Sequence, residues 1–200
     1  MELKDKTQIT FYQGLNTIGG TYIEVSYQDA RVLFDFGTEF KPEVEAQMPD
    51  YSITSLEQAH LIPMLSGYYD TRLPHKANRR LYNYDKTAVF LSHVHLDHSR
   101  MINYLDPRIK LYTSAPTKKL LEVLNQTGTF LLPSPVLDAP TTRELTAVPF
   151  NEPVHVGDIT VEILPVDHDA YGAGALIITT PTAKIAYTGD LRLHGFQALD

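Results

Sequence analysis

Three runs rich in β-branched and aromatic residues open the chain: Gln8–Tyr12, Thr21–Tyr27 and Arg31–Phe36. They predict neighbouring antiparallel strands, with turns at Gly19-Gly20 and Gln28-Asp29. From residue 41 to 86 the pattern loosens into proline, tyrosine and charge, with one short helix near Ser55–His60. The apolar run Thr87–Leu91 then predicts a strand over 87–92. A helix at Ser99–Leu105 and a strand at Ile109–Tyr112 follow. Pro116–Gln126 predicts an amphipathic helix whose apolar face carries Leu120, Leu121, Val123 and Leu124. The last third returns to short strands, at Glu144–Phe150, Val154–Val156, Ile159–Val166, Gly174–Thr180 and Lys184–Thr188. Asn-Glu-Pro, Gly-Asp and Pro-Thr turns divide them. Sheet first, βαβα in the middle and sheet again predict an α/β fold of two packed sheets with helices outside. No closing element is predicted after the turn at Asp190.

The 200 residues fit one domain, and 43% hydrophobic with 20% charged residues is a globular composition. The start, Met1 to Lys6, is polar, and no apolar run approaches the roughly 18 residues that span a bilayer. The expectation is a cytoplasmic protein with neither secretory signal nor membrane anchor. Zero cysteines exclude disulfides and thiolate metal sites, leaving histidines and carboxylates as ligands. A net charge of −7 speaks mildly against a nonspecific nucleic-acid coat. Bound divalent ions would reverse that sign locally.

One hexapeptide changes the picture. His93-Val94-His95-Leu96-Asp97-His98 packs four metal-ligating side chains behind a predicted strand. At this histidine content, such a cluster arises by chance in roughly one chain per thousand. Each buried imidazole or carboxylate would otherwise need its own hydrogen-bond partner, whereas a divalent ion satisfies all of them. Where a strand is ending, His93 and His95 point to one side and Asp97 continues the alternation. His98 then begins a helix whose N-terminus faces the site. One pair of histidines can hold one ion, with Asp97 and His98 on a neighbour.

The run FLSHVHLDHS resembles the second motif, HxHxDH, of the metallo-β-lactamase superfamily. Asp35 in LFDFG resembles the first motif, His168 in ILPVDHDAYGA the third, and Asp190 in AYTGD the fourth, all in order. The resemblance covers about residues 15 to 195 and implies an αββα sandwich. It implies two divalent ions, zinc in the first place, with manganese or iron as alternatives. One ion would sit on His93, His95 and His168, the second on Asp97 and His98, with Asp190 between them. Asp97 and Asp190 would orient the attacking water, and Asp35 would orient ligands rather than bind metal. A further histidine ligand is expected beyond residue 200, since His194 lies too close to Asp190. Residues 1–200 would then be the first part of the domain.

The setting of the third motif looks like that of the nucleases of the ribonuclease J and β-CASP branch, with Asp169 in place of the usual serine. In that branch another domain is inserted just after the fourth motif. The branch implies RNA phosphodiester hydrolysis with single-stranded RNA as partner, no membrane, and leaves homo-oligomerisation open. The alternatives are a small-molecule ester, lactone or thioester hydrolase, and an inactive metal-binding partner in RNA processing. Candidate substrate contacts are His194 and Arg192, which alternate with Asp190, and Tyr171 beside His168. The basic stretch Arg72–Arg80 reads as a solvated loop, or alternatively as a phosphate-contacting edge near the site. Tyr68, Tyr69, Tyr82 and Tyr84 around it read as packing residues, with base stacking as the alternative.

Overall fold

The structure is a computed structural model that describes residues 5–17, 19–74, 83–136 and 142–195. Strands β1 (Gln8–Gln13), β2 (Tyr22–Tyr27) and β3 (Ala30–Phe34) form an antiparallel meander. Helices α1 (Pro42–Glu45) and α2 (Ile53–Gln58) follow, then β4 (Thr87–Phe90), α3 (Leu96–Ser99), β5 (Lys110–Ser114) and α4 (Ala115–Leu124). Next come β6 (Thr146–Val148), β7 (Val154–Val156), β8 (Ile159–Pro165), β9 (Gly174–Thr179) and β10 (Lys184–Tyr187). The first sheet has the order β1-β2-β3-β4-β5-β6, parallel from β3 onward. The second, antiparallel, has the order β10-β9-β8-β7.

Alternation along the central strands explains the layers. On β3, Val32 and Phe34 face the second sheet and meet Ile159, Val161, Ile163, Leu176 and Ile178. Leu33 between them points the other way, into a cluster with Ile53 and Leu56 of α2 and Leu121 of α4. On β4, Ala88 and Phe90 likewise join the inter-sheet core and Val89 the helical one. Both strands are buried on two faces, which is why they read as continuous apolar runs. Helices, six-stranded sheet and four-stranded sheet make three of the four expected layers among the described residues. No helix among them is long and apolar enough to cross a membrane.

The strands lie where the sequence predicts them, within a residue or two at most ends. The expected helix at Ser99–Leu105 does not form as such: one α-turn, α3, begins earlier at Leu96, and a separate 3₁₀ turn covers Ile102–Tyr104. Backbone competition is the reason. The His98 carbonyl, which a continuing helix would use, accepts instead from Phe36 N at 2.7 Å. The Met101 N–H goes to the Phe36 carbonyl at 2.9 Å, and the Asp97 carbonyl takes Gly20 N at 3.1 Å. The His93–His98 segment is thus stitched to the loops before β2 and after β3. A helix of one turn has no appreciable dipole to aim, so that expectation falls. Helix α4 keeps its predicted place, capped by Ser114, whose side chain accepts from Thr117 N.

The basic stretch is corrected in part. Arg72 pairs with Asp70 at 2.6 Å, beside the Asp106–Arg108 pair that precedes β5. That is the end of the parallel strands opposite His93–His98, so Arg72 is no phosphate contact near the site. Tyr68 and Tyr69 are buried and Tyr84 lies under the Arg108 guanidinium, which is packing as expected. Residues 75–82, with the rest of the stretch and Tyr82, lie outside the described residues.

Candidate metal centre

Four loops converge beyond the C-terminal ends of β3, β4, β8 and β10, bringing Asp35, the His93–His98 segment, His168 and Asp190 together. Asp35 is the hub. Its φ of 59° is a left-handed conformation that aspartate tolerates better than most residues, and its side chain is fully buried. Its carboxylate accepts from Ser92 N at 2.7 Å, Ser92 Oγ at 2.9 Å, His98 Nδ1 at 2.7 Å and the Tyr187 hydroxyl at 2.6 Å.

These bonds fix which imidazole nitrogens carry protons. Ser92 has one hydroxyl proton and gives it to Asp35, so toward His93 Nδ1, 2.9 Å away, it can only accept. His93 Nδ1 is therefore protonated and its Nε2 presents a lone pair. His98 Nδ1 donates directly to Asp35, which leaves His98 Nε2 facing Asp97 Oδ2 at 3.4 Å and Asp190 Oδ2 at 3.6 Å. One buried carboxylate orients two candidate ligands on two sides of the cluster, as metal sites commonly require.

His93, His95 and His168 form the first compact group of ligand atoms. His93 Nε2 and His168 Nε2 lie 3.1 and 3.2 Å from the same atom, His95 Nδ1. Their rings stand nearly perpendicular to one another, at 81° and 74° to the His95 ring. His93 Nε2 has no proton to give, so its approach to Nδ1 needs a proton on Nδ1 or an ion between them. An ion at the centre can take all three lone pairs, and tetrahedral Zn–N bonds would set N···N edges of about 3.3 Å. The donor set fits the metal.

The second group is His93, His98 and Asp190, so His93 borders both. Asp97, expected among these ligands, sits at its margin. Asp97 is also closely packed by two glycine loops. A Cβ on Gly37 would stand 2.1 Å from the Asp97 carbonyl, and one on Gly19 2.2 Å from the Asp97 Cβ. Only glycine lets both loops close on this residue.

Electrostatics describes a place that demands positive charge. Burial pulls the pKa of His98 down, but the charge of Asp35 and the hydrogen bonds that the ring donates to Asp190, Asp35 and Asp97 hold it up at about 12. Burial, joined by the neighbouring His98, lowers His93 to about 4, so it stays a neutral donor. The hydrogen bond from His98 takes Asp190 down to about 2. Three carboxylates around one imidazole suit a divalent cation.

The remaining candidates fall outside this cluster. Arg192 turns back and donates from Nε and Nη2 to Asp167 Oδ1, at 3.2 and 3.1 Å, tying the His168 and Asp190 loops together. His194 is exposed, on a segment that bends after Arg192 rather than running extended, so the expected alternation does not hold. Tyr171 is 77% exposed. Asp169 lies closer, with Oδ1 3.1 Å from His168 Nε2 and 3.5 Å from His95 Nε2. Sequence reasoning missed Ser92 and Tyr187. Both stand beside motif residues, but nothing in their spacing says that two sheets bring them onto one carboxylate.

Fold and site together define a class: the chain belongs to the β-lactamase superfamily, whose domain model matches residues 66–198. It is 55% identical to a protein of unknown function from Enterococcus faecalis V583, whose crystal structure superposes with a TM-score of 0.89 over 96% of this chain and 45% of that one. A metallo-β-lactamase with a HARLDQ motif from Cronobacter sakazakii matches at TM-score 0.54 and 12% identity, over 97% of this chain and 62% of that one, a likeness of fold alone. Among curated proteins, the Probable RNase MJ4 of Methanocaldococcus jannaschii is 23% identical over 198 residues, 94% of this chain and 39% of that protein. The chain thus spans less than half the length of the E. faecalis and M. jannaschii relatives.

Proposed function

We propose that the protein is a binuclear metal-dependent phosphodiesterase that hydrolyses single-stranded RNA. The observation that carries the chemistry is the pair of ligand groups sharing His93, with Asp35 holding the His98 lone pair and, through Ser92, the His93 lone pair toward the cluster. His93, His95 and His168 would hold one divalent ion, and His98, Asp190 and the nearby Asp97 a second. Bound there, such ions lower the pKa of a water and stabilise charge on a phosphate.

The chain's own residues do the rest. Asp190 and Asp97 are acceptors at the margin of the cluster, half and one-quarter exposed, placed to orient a water by accepting its protons. Asp35, out of water altogether, keeps the imidazoles in the ligating tautomer. The Arg192–Asp167 pair would hold the loops of His168 and Asp190 in register. The preference for RNA rests on the setting of the third motif and on what the M. jannaschii relative is called. The test has two arms. Metal analysis of the zinc- or manganese-loaded protein should give two ions per chain. The loaded full-length protein should cleave a labelled single-stranded RNA, and chelation should stop it. One ion per chain, or intact RNA beside turnover of a lactone or thioester, would overturn the proposal.

A further inference from the structure

Phe40 is the least expected side chain near the centre. Four residues earlier Phe36 is fully buried, whereas Phe40 is 68% exposed. Its backbone is held firmly: Glu39 N donates to the Leu61 carbonyl at 2.9 Å, Glu39 bridges Gly19, and Thr38 is buried. A lone exposed apolar residue is ordinary. Its position is what matters here. Phe40 lines a groove of about 510 Å³ whose other wall is formed by His95, Leu96 and Asp97, so the groove runs directly out of the metal centre.

The charges along this groove are already matched. Arg100 holds Glu45 through Nη1 at 2.9 Å and Nη2 at 2.5 Å, and the Tyr51 hydroxyl donates to the same carboxylate at 2.8 Å. Lys41 pairs with Glu39 at 3.0 Å. The wall therefore offers a phosphate no uncommitted cation among the described residues. It offers a flat ring, the Leu96 side chain and a rigid frame, which suit a neutral, planar group. We infer that the groove is a nucleobase subsite in which Phe40 stacks a base next to the scissile phosphate. This rests on the RNA phosphodiesterase reading and adds to it how the strand is gripped. Stacking on an aromatic side chain is sequence-tolerant, so the subsite would select single-stranded nucleic acid without selecting a sequence.

The test pairs Phe40 variants with oligoribonucleotides carrying one abasic ribose, walked across the cleavage position. For the wild type, one abasic position should raise KM about five- to a hundredfold. Phe40→Ala should raise KM for intact RNA by a similar factor, leave kcat within about twofold, and become blind to the abasic position. Phe40→Trp should restore KM. Because the sequence has no tryptophan, it should also report base stacking in the metal-free protein, as quenching by oligoadenylate but not by its abasic counterpart. RNA cleaved with a KM that Phe40→Ala leaves unchanged, or a Phe40→Ala loss that persists undiminished on the abasic strand, overturns the subsite and leaves the phosphodiesterase standing. A loaded wild type that spares all RNA and turns over a lactone overturns both.

Discussion

Replacing Asp35 with asparagine tests the logic of the site at its hub. The buried carboxylate receives four donors, so the new amide nitrogen must face one set of them. At the Oδ1 position it would meet the Ser92 backbone N–H, which cannot turn. At Oδ2 it meets Tyr187 and His98. The tyrosine hydroxyl can rotate, but His98, charged in the metal-free protein, recovers a bond only by giving up its Nδ1 proton and keeping the one on Nε2. That proton then occupies the lone pair aimed at Asp97 and Asp190. Loss of such an orienting partner weakens metal binding about 10- to 100-fold, or about 1.4–2.7 kcal/mol. The loss should fall on one ion. Ser92 Oγ keeps its 3.0 Å contact with Oδ1, so His93 holds its tautomer and the three-imidazole group binds nearly as before. Titration of the metal-free variant with zinc in a calorimeter should therefore show one step preserved and one weakened. Two steps weakened equally, or neither, would refute the tautomer argument.

Three further outcomes follow from the packing. Gly37→Ala should destabilise the protein by at least about 3 kcal/mol in urea, because the methyl would overlap the Asp97 carbonyl at the start of α3; an unchanged midpoint would show that the loops are looser than described. Glu45→Gln should cost about 1 kcal/mol at pH 7. Hydrogen bonds from Arg100 hold the Glu45 carboxyl below its usual 4.5, so its contribution is present above that value and lost as pH falls through the depressed folded value. The urea midpoints of the two proteins should converge in acid, and a gap independent of pH would contradict the assignment. Phe90→Ala should cost about 3–5 kcal/mol, since Phe90 is fully buried between the sheets and stacks on Tyr112 at 5.0 Å; a loss below about 1 kcal/mol would show that the inter-sheet core closes around the vacancy.

Local chemistry made much of this legible in the sequence. Strands β3 and β4 announce themselves because burial on two faces leaves no polar position. The hexapeptide announces a metal site because no ordinary core tolerates three imidazoles and a carboxylate together. Asp35 was expected to orient ligands, and it bonds His98 directly. What stayed hidden depends on distant segments. Tyr187 reaches Asp35 across 152 residues of sequence, through the packing of β10 against the first sheet. The helical pattern over Ser99–Leu105 was overridden by the backbone of Phe36, which no periodicity encodes. The alternation of Asp190, Arg192 and His194 assumed an extended segment. A single ion pair with Asp167 turns Arg192 away, and the chain bends.

Cleavage of single-stranded RNA by the metal-loaded full-length protein, measured as kcat/KM beside a panel of lactones and thioesters, tests the central claim most directly. The account predicts RNA as the preferred substrate by several orders of magnitude, with activity lost on chelation and restored by zinc or manganese. Efficient turnover of the small esters with RNA left intact would contradict it.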